Sequence, residues 1–158
     1  MSRKSWDEYF LDITVVVGER GTCDRGKSGS VIVIDKRIVA TGYVGSAPGM
    51  PHCDEVGHLM RKVIDEDGHE SMHCVRTIHA EENAILQAAK YGISVKGGTL
   101  YCKMTPCFRC AQMISQVGIV RVVAMKRYHA DALTREIFQG KGIILEVKDD
   151  TVEQYEKQ

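Results

Sequence analysis

Apolar positions along the chain change their period in an orderly way. From Ser5 to about Glu19, Tyr9, Ile13, Val16 and Val17 recur at helical spacing, and Ser5 is of the type that caps a helix start, so a first helix is expected there. Val31 to Ile34 is a continuous apolar run, followed by polar Asp35-Lys36-Arg37 and then by Ile38-Val39-Ala40. That pattern predicts two buried antiparallel strands joined by a tight turn. The stretch from Gly42 to Pro51 holds three glycines and two prolines and reads as a loop. His52 to His73 is mixed, with one short helix and an irregular segment expected. His79 to Tyr91, rich in Ala, Glu, Leu and Gln, predicts a strong helix that Gly92 stops. A strand at Thr99–Cys102 leads to a helix that starts at Thr105-Pro106 and runs to about Val117. A strand at Ile119–Met125, a helix at Asp131–Gln139 and a last strand at Ile143–Val147 follow. The tail after Lys148 is polar and is expected to fray.

Strands alternating with helices predict an α/β fold, a three-layer α-β-α sandwich around a central mixed sheet of about five strands. The first pair of strands is antiparallel and the later ones are parallel. No repeat, low-complexity tract or linker interrupts the pattern, so one domain over residues 1–158 is expected, with its core between about 5 and 147.

Composition narrows the class of function. Among 158 residues, 21 basic side chains balance 21 acidic ones. A net charge of zero argues against holding nucleic acid or an anionic membrane through bulk charge. No apolar run approaches the roughly 18 residues of a membrane span, and Met1 to Asp7 lacks the apolar core of a signal peptide. A cytoplasmic protein is expected. Six cysteines and six histidines remain to be explained, and in a reducing compartment clustered Cys points to metal or catalysis before disulfide.

The decisive residues are His79-Ala80-Glu81 and Pro106-Cys107-Phe108-Arg109-Cys110. Together they form H-x-E…P-C-x-x-C, the signature of zinc deaminases. A catalytic zinc takes three protein ligands and keeps a position open for water. His79, Cys107 and Cys110 supply one imidazole and two thiolates. The two cysteines, three apart at a helix start, point the same way, and the helix N-terminus favours their thiolates. Glu81, two residues from His79, belongs near the metal without binding it. Its role is acid–base: it takes a proton from the activated water and delivers protons to the ring nitrogen and the leaving amine. Arg109 should face away from the metal, and Cys102 on its strand reads as core.

With those motifs the chain resembles the cytidine/deoxycytidylate deaminase superfamily, and within it the deoxycytidylate (dCMP) deaminases. Cys74-Val75-Arg76-Thr77-Ile78-His79-Ala80-Glu81-Glu82-Asn83-Ala84-Ile85 looks like the family's central block. Gly42-Tyr43-Val44-Gly45, followed by His52-Cys53, looks like its glycine-rich substrate loop, and Thr22-Cys23-Asp24-Arg25 like its first block. The resemblance implies hydrolytic deamination of dCMP to dUMP and ammonia, feeding thymidylate synthesis. It also implies a homo-oligomer, often a hexamer, activated by dCTP with Mg2+ and inhibited by dTTP. The substrate contacts it suggests are Gly42, Tyr43, Val44, Gly45 and Ala80. Tyr128 either packs on the pyrimidine or simply closes the end of a strand, and Arg25 and Lys27 either hold a 5′-phosphate or are solvated surface charges. One departure stands out: Val44 replaces the usual Asn, which contacts the sugar, and this keeps another pyrimidine nucleotide such as dCTP in view.

Relatives of this kind often carry a second, structural zinc. Cys23, Cys53, His73 and Cys74 match that pattern, with His73, His69 and His58 all open as the histidine ligand. Otherwise Cys23 and Cys74 are small buried hydrophobes. Two other functions compete. A tRNA- or single-strand-DNA-editing deaminase predicts a basic stripe and aromatic platforms, yet aromatics are only 6% of the chain. A non-catalytic accessory protein of the same fold, such as a competence-related homologue, predicts loss of the acid–base glutamate, and Glu81 is present.

Overall fold

The computed structural model describes residues 2–65 and 68–154. Helix α1 (Trp6–Glu19) begins where the Ser5 hydroxyl accepts from the Glu8 N–H and the Glu8 carboxylate accepts from the Ser5 N–H, a reciprocal capping box. Strands β1 (Gly29–Ile34) and β2 (Arg37–Tyr43) form a hairpin whose turn residues, Asp35 and Lys36, both have positive φ. After α2 (Cys53–Val56) come β3 (Met60–Ile64) and β4 (Glu70–Cys74), an antiparallel pair that forms a sheet of its own. Then α3 (Ala80–Lys90), β5 (Thr99–Met104), α4 (Phe108–Gln116), β6 (Arg121–Lys126), α5 (Ala132–Lys141) and β7 (Ile144–Val147) alternate.

The main sheet has the order β2-β1-β5-β6-β7. β1 is antiparallel to β2 and β5, while β5, β6 and β7 are parallel. The expected five-stranded mixed sheet is therefore present. Successive side chains of a strand leave by opposite faces, and that period builds two cores. Ile32, Leu100, Cys102, Val122 and Ala124 pack with Ala84, Ile85, Cys110, Ile114 and Phe138 of α3, α4 and α5. Val31, Val33, Tyr101 and Val123 pack with Phe10 and Leu11 of α1 on the other face. The three layers follow.

Three regions differ from the sequence expectation. The segment before His73 folds as the β3–β4 hairpin. Its strands leave every position exposed or half-buried, so they carry no apolar alternation to read. The tail does not fray up to Gln154. Lys148 and Asp149 N–H donate to the Ala124 and Met125 carbonyls, Arg127 N–H to Thr151, and Glu153 N–H back to Arg127. The backbone ladder of β6 thus continues past its last apolar residue. The helix expected from Thr105 starts at Phe108, with Cys107 as its N-cap.

The residues of the two motifs lie where the carboxyl ends of β5 and β6 meet the N-termini of α3 and α4. Glycine permits the close approach. A Cβ on Gly42 would stand 2.2 Å from the Ala80 carbonyl oxygen and 2.3 Å from the Ala84 nitrogen. Only a residue without one lets β2 run against the first turn of α3.

Candidate active site

His79 caps α3 and Cys107 caps α4, so both stand half outside their helices, and Cys110 follows in the first turn of α4. His79 Nδ1 is 3.5 Å from each of the Cys107 and Cys110 Sγ atoms, and the three donor atoms lie within 4.8 Å of one another. One imidazole and two thiols facing two helix N-termini are the donor set of a zinc site with three protein ligands and room for a fourth. Among themselves these groups share protons. The Cys107 thiol is pulled down to about 4, first by the hydrogen bond from Cys110 and then by His79. That thiolate raises His79 to about 9, and the same contact with Cys107 pushes Cys110 up. A bound dication would replace those protons, because metal ligands bind deprotonated.

Glu81 is only 6% exposed. Burial pushes its carboxyl up to about 7, against the opposing pull of His79, and Cys110 Sγ lies 3.9 Å from its Oε2. The neighbouring Glu82 is engaged elsewhere. Its carboxylate accepts from the His79 N–H at 3.1 Å and pairs with the exposed Arg109 at 3.1 Å. Arg109 therefore lies on the outside of the helix.

The P-C-x-x-C segment is held from behind by a buried polar hub. The Thr105 hydroxyl donates to Asp131 at 3.1 Å and accepts from the Tyr128 N–H at 2.7 Å, and Thr134 donates to the Pro106 carbonyl at 2.9 Å. Asp131, 2% exposed, also pairs with Arg127 and Arg135. Its charge is thereby matched on both sides, which a buried carboxylate requires.

A cavity of about 540 Å3 opens beside His79, Ala80, Glu81, Thr105 and Cys107. Its other walls are Arg25, Gly26, Ser28 and Val44, the hairpin residues Ser71 to Cys74, Tyr128 and His129 after β6, and Val152 to Gln154 of the tail.

A second group gathers Cys23, Cys53, His58 and Cys74, again with donor atoms within 4.8 Å of one another. Cys23 Sγ is 3.6 Å from His58 Nδ1, and Cys53 Sγ is 3.5 Å from Cys74 Sγ. His58 Nε2 reaches the Asp24 carboxylate at 2.9 Å, the partner that orients a metal-binding imidazole. Burial drives Cys53 up to about 12. Cys74 resists its own burial and sits at about 7, because the Arg76 and Leu59 N–H groups bond to it.

Residues 4–126 match the family described as the cytidine and deoxycytidylate deaminase zinc-binding region. That span covers most of the chain and encloses both metal motifs. The chain belongs to this deaminase family. Among curated proteins, ComE operon protein 2 of Bacillus subtilis (strain 168) is 40% identical over 146 residues, 92% of this chain and 72% of the relative. The deoxycytidylate deaminase of Schizosaccharomyces pombe is 35% identical over 90% of this chain and 44% of its own length. The deoxycytidylate deaminase of Mycobacterium phage D29 is 37% identical over 80% of this chain and 98% of its own. This chain therefore spans less than half of the yeast relative and nearly all of the phage one. Among solved structures, the dCMP deaminase of cyanophage S-TIM5 in complex with dCMP and dUMP superposes with a TM-score of 0.73 at 27% identity, covering 93% of this chain and 99% of that one.

Against the deaminase motifs, the structure sorts the residues singled out from sequence. His79, Glu81, Cys107 and Cys110 come together. Arg25, Val44, Ala80 and Tyr128 line the cavity. Of the G-Y-V-G loop, only Val44 does. Gly42 seats α3, the Tyr43 carbonyl accepts from the Asn83 side chain at 2.8 Å, and Gly45 pairs with Ile78. Lys27 is exposed and outside the cavity wall, its carbonyl accepting from Lys103. Cys23, Cys53 and Cys74 converge, but the histidine that joins them is His58. Alternation along β4 turns His73 away from its neighbour Cys74, toward Ser71 and Asp65. Sequence reasoning gave no role to Asp131 or the tail, and none to His129 beyond proximity to the site. Only for Asp131 was there a local signal, its i,i+4 partners Arg127 and Arg135.

Among the described residues no helix is long and apolar enough to cross a membrane.

Proposed function

We propose that this chain is a zinc-dependent hydrolase that converts dCMP and water to dUMP and ammonia, in the supply of thymidylate. The observation that carries the reading is Glu81. It is a buried carboxyl held near 7, beside a His/Cys/Cys donor set, in a nucleotide-sized cavity. The likeness to deoxycytidylate deaminases, one of them solved with dCMP and dUMP, supports the substrate.

His79, Cys107 and Cys110 would hold the zinc, which when bound would supply Lewis-acid activation of water. The chain does the rest. Glu81 takes a proton from the attacking water as its oxygen adds to C4 of the cytosine ring, and hands it to N3. It then carries the second water proton to the departing amino group, so that ammonia leaves and the C4 carbonyl forms. A carboxyl poised near neutrality is suited to both transfers. The Ala80 backbone and Tyr128 flank the base, and Val44 lies apolar where the family's sugar-binding Asn stands.

Cys23, Cys53, His58 and Cys74 are proposed to hold a second zinc. A closed Cys3His set leaves no position for water, which is the mark of a structural ion. The family resemblance extends the proposal to a homo-oligomer, up to a hexamer, activated by dCTP with Mg2+ and inhibited by dTTP. Val44 favours one second reading, deamination of dCTP by the same site.

Ammonia release from dCMP, CMP, dCTP and deoxycytidine, each with and without dCTP–Mg2+ or dTTP, tests the proposal. Preferred turnover of dCMP is expected. Turnover of dCTP alone would favour the second reading, and no turnover by zinc-replete protein would overturn both.

A further inference from the structure

Asp131 stands at the N-cap of α5, where an aspartate normally accepts from the first free N–H groups of its own helix. It makes no such bond. Its buried carboxylate turns away from the helix. It accepts from the Thr105 hydroxyl at 3.1 Å, from Arg127 at 3.0 and 3.3 Å and from Arg135 at 3.1 Å. The stabilisation that a cap would give α5 is forgone. Nη2 of Arg135 is left buried without a hydrogen bond, with Asp150 at 3.9 Å as its nearest carboxylate. Local rules broken together at one position point to a role beyond the stability of its own element.

What the carboxylate holds instead lies on both sides of the cavity floor. Thr105 directly precedes Pro106 and Cys107, and Tyr128 is part of the wall beside the base. The β5–β6 ladder ends at Met104 and Lys126, closed by the Thr105 N–H on the Lys126 carbonyl at 3.0 Å. Where backbone pairing between these strands stops, the Thr105 side chain takes over and accepts from the Tyr128 N–H at 2.7 Å. A hydroxyl has one proton. Given to Asp131, it leaves a lone pair for the Tyr128 N–H, so the chain of bonds runs one way, from Tyr128 through Thr105 to the carboxylate.

We propose that Asp131 is a positioning residue for the reaction. Through Thr105 it sets the spacing between Tyr128 and the Pro106–Cys107 loop, and with it the line along which the attacking water meets C4 of the base. The assignment rests on the reading of the cavity as a deaminating site.

A brace for the fold alone is the competing role, and two observations oppose it. The loop already has an anchor of its own, the Thr134 hydroxyl on the Pro106 carbonyl at 2.9 Å. A buried ionic cluster is also replaceable by apolar groups of the same volume with little loss of stability. Apolar groups cannot aim the Tyr128 N–H, and aiming is what this arrangement adds.

The test compares zinc-replete wild type with Thr105→Val, Thr105→Ser, Asp131→Asn and the Thr105→Val/Asp131→Asn double variant. Turnover of dCMP is measured well below each melting temperature, with zinc content alongside. Thr105→Val keeps the shape and removes the hydroxyl. It is expected to lower kcat about tenfold or more with zinc content unchanged and KM little altered, because a slightly displaced base still binds but is attacked off line. Thr105→Ser returns the hydroxyl and should recover most of the rate. The double variant should be no slower than the slower single one, since both changes break one chain of bonds. Unaltered kcat in folded Thr105→Val, or additive losses in the double variant, would overturn the proposal. The two Thr105 variants carry the test if Asp131→Asn does not fold. If wild type turned over no nucleotide, the deaminase reading would fall. Amide hydrogen exchange would then still decide whether the bridge fixes Tyr128. Its N–H should exchange faster in Thr105→Val than in wild type while the α3 amides stay the same, and equal exchange would remove the bridge.

Discussion

Burial, more than any partner, sets the proton affinity of Glu81 at about 7, so near neutral pH the same group both accepts and returns a proton. Glu81→Gln keeps the shape and removes that capacity. Ammonia release is expected to fall by about a thousandfold, within the usual range for a lost acid–base group, with zinc content unchanged. Loss of zinc along with activity would instead make Glu81 a ligand. Gly42 acts at a distance from the chemistry. An added Cβ meets α3 backbone at 2.2 and 2.3 Å, and neither strand nor helix can give way without shifting His79 and Glu81. Gly42→Ala is expected to cost about 3 kcal/mol of stability, as overpacking does, and to lower kcat in the protein that still folds. Urea denaturation and turnover check the two parts separately.

Elements show what was legible beforehand. Helices and strands with strong apolar periods were readable to within a few residues, and so was the layer order, because burial on one face writes itself into the spacing of Val, Ile, Leu and Ala. The catalytic donors were readable because zinc chemistry restricts both residue type and separation. The β3–β4 hairpin was not, since it buries little and is held by Asp65, Ser71 and the Cys/His group. Nor was the tail, whose attachment is backbone pairing with β6 and the ion pairs of Glu153. His58 could not be told from His73 in sequence, because proximity to Cys74 along the chain is not proximity of side chains in a strand. Helix α1 illustrates a long-range tie invisible in sequence. Asp7 bonds Arg121, Lys148 and the Tyr101 hydroxyl, and Arg121 holds the Asp7 carboxyl well below the usual range. A depressed carboxyl stabilises the fold above its ordinary pKa and loses that contribution as pH falls through its folded value. Asp7→Asn should therefore cost about 2 kcal/mol at pH 7 and progressively less as pH falls below the ordinary carboxyl range, so the gap between the two melting curves narrows in acid. A constant gap across that range would exclude the ion cluster as the cause.

For the molecule as a whole, two Cys/His groups brace different parts of the same cavity. The first joins α3 to α4. The second pins the base of the hairpin to the first block and to α2, and the hairpin supplies one wall. Metal analysis is expected to return two zinc ions per chain. Cys53→Ser should return one, lower the melting temperature and raise KM for dCMP more than it lowers kcat. One zinc in wild type would remove the structural ion from the proposal. Shortening the chain before Thr151 deletes Val152 to Gln154 from the wall and the pairing of Glu153 with Lys103 and Lys126. A higher KM for dCMP with intact zinc is expected, measured by turnover and metal content, and an unchanged KM would make the tail irrelevant to substrate.

The order of the donors along the chain has a temporal meaning. Cys23, Cys53, His58 and Cys74 all precede His79, while the catalytic set is complete only at Cys110. During synthesis from the N-terminus, the four donors of the closed group emerge from the ribosome before the open group has its first thiolate. The proposed structural site would therefore be complete on the growing polypeptide before the reactive centre, and would brace the wall of the cavity first.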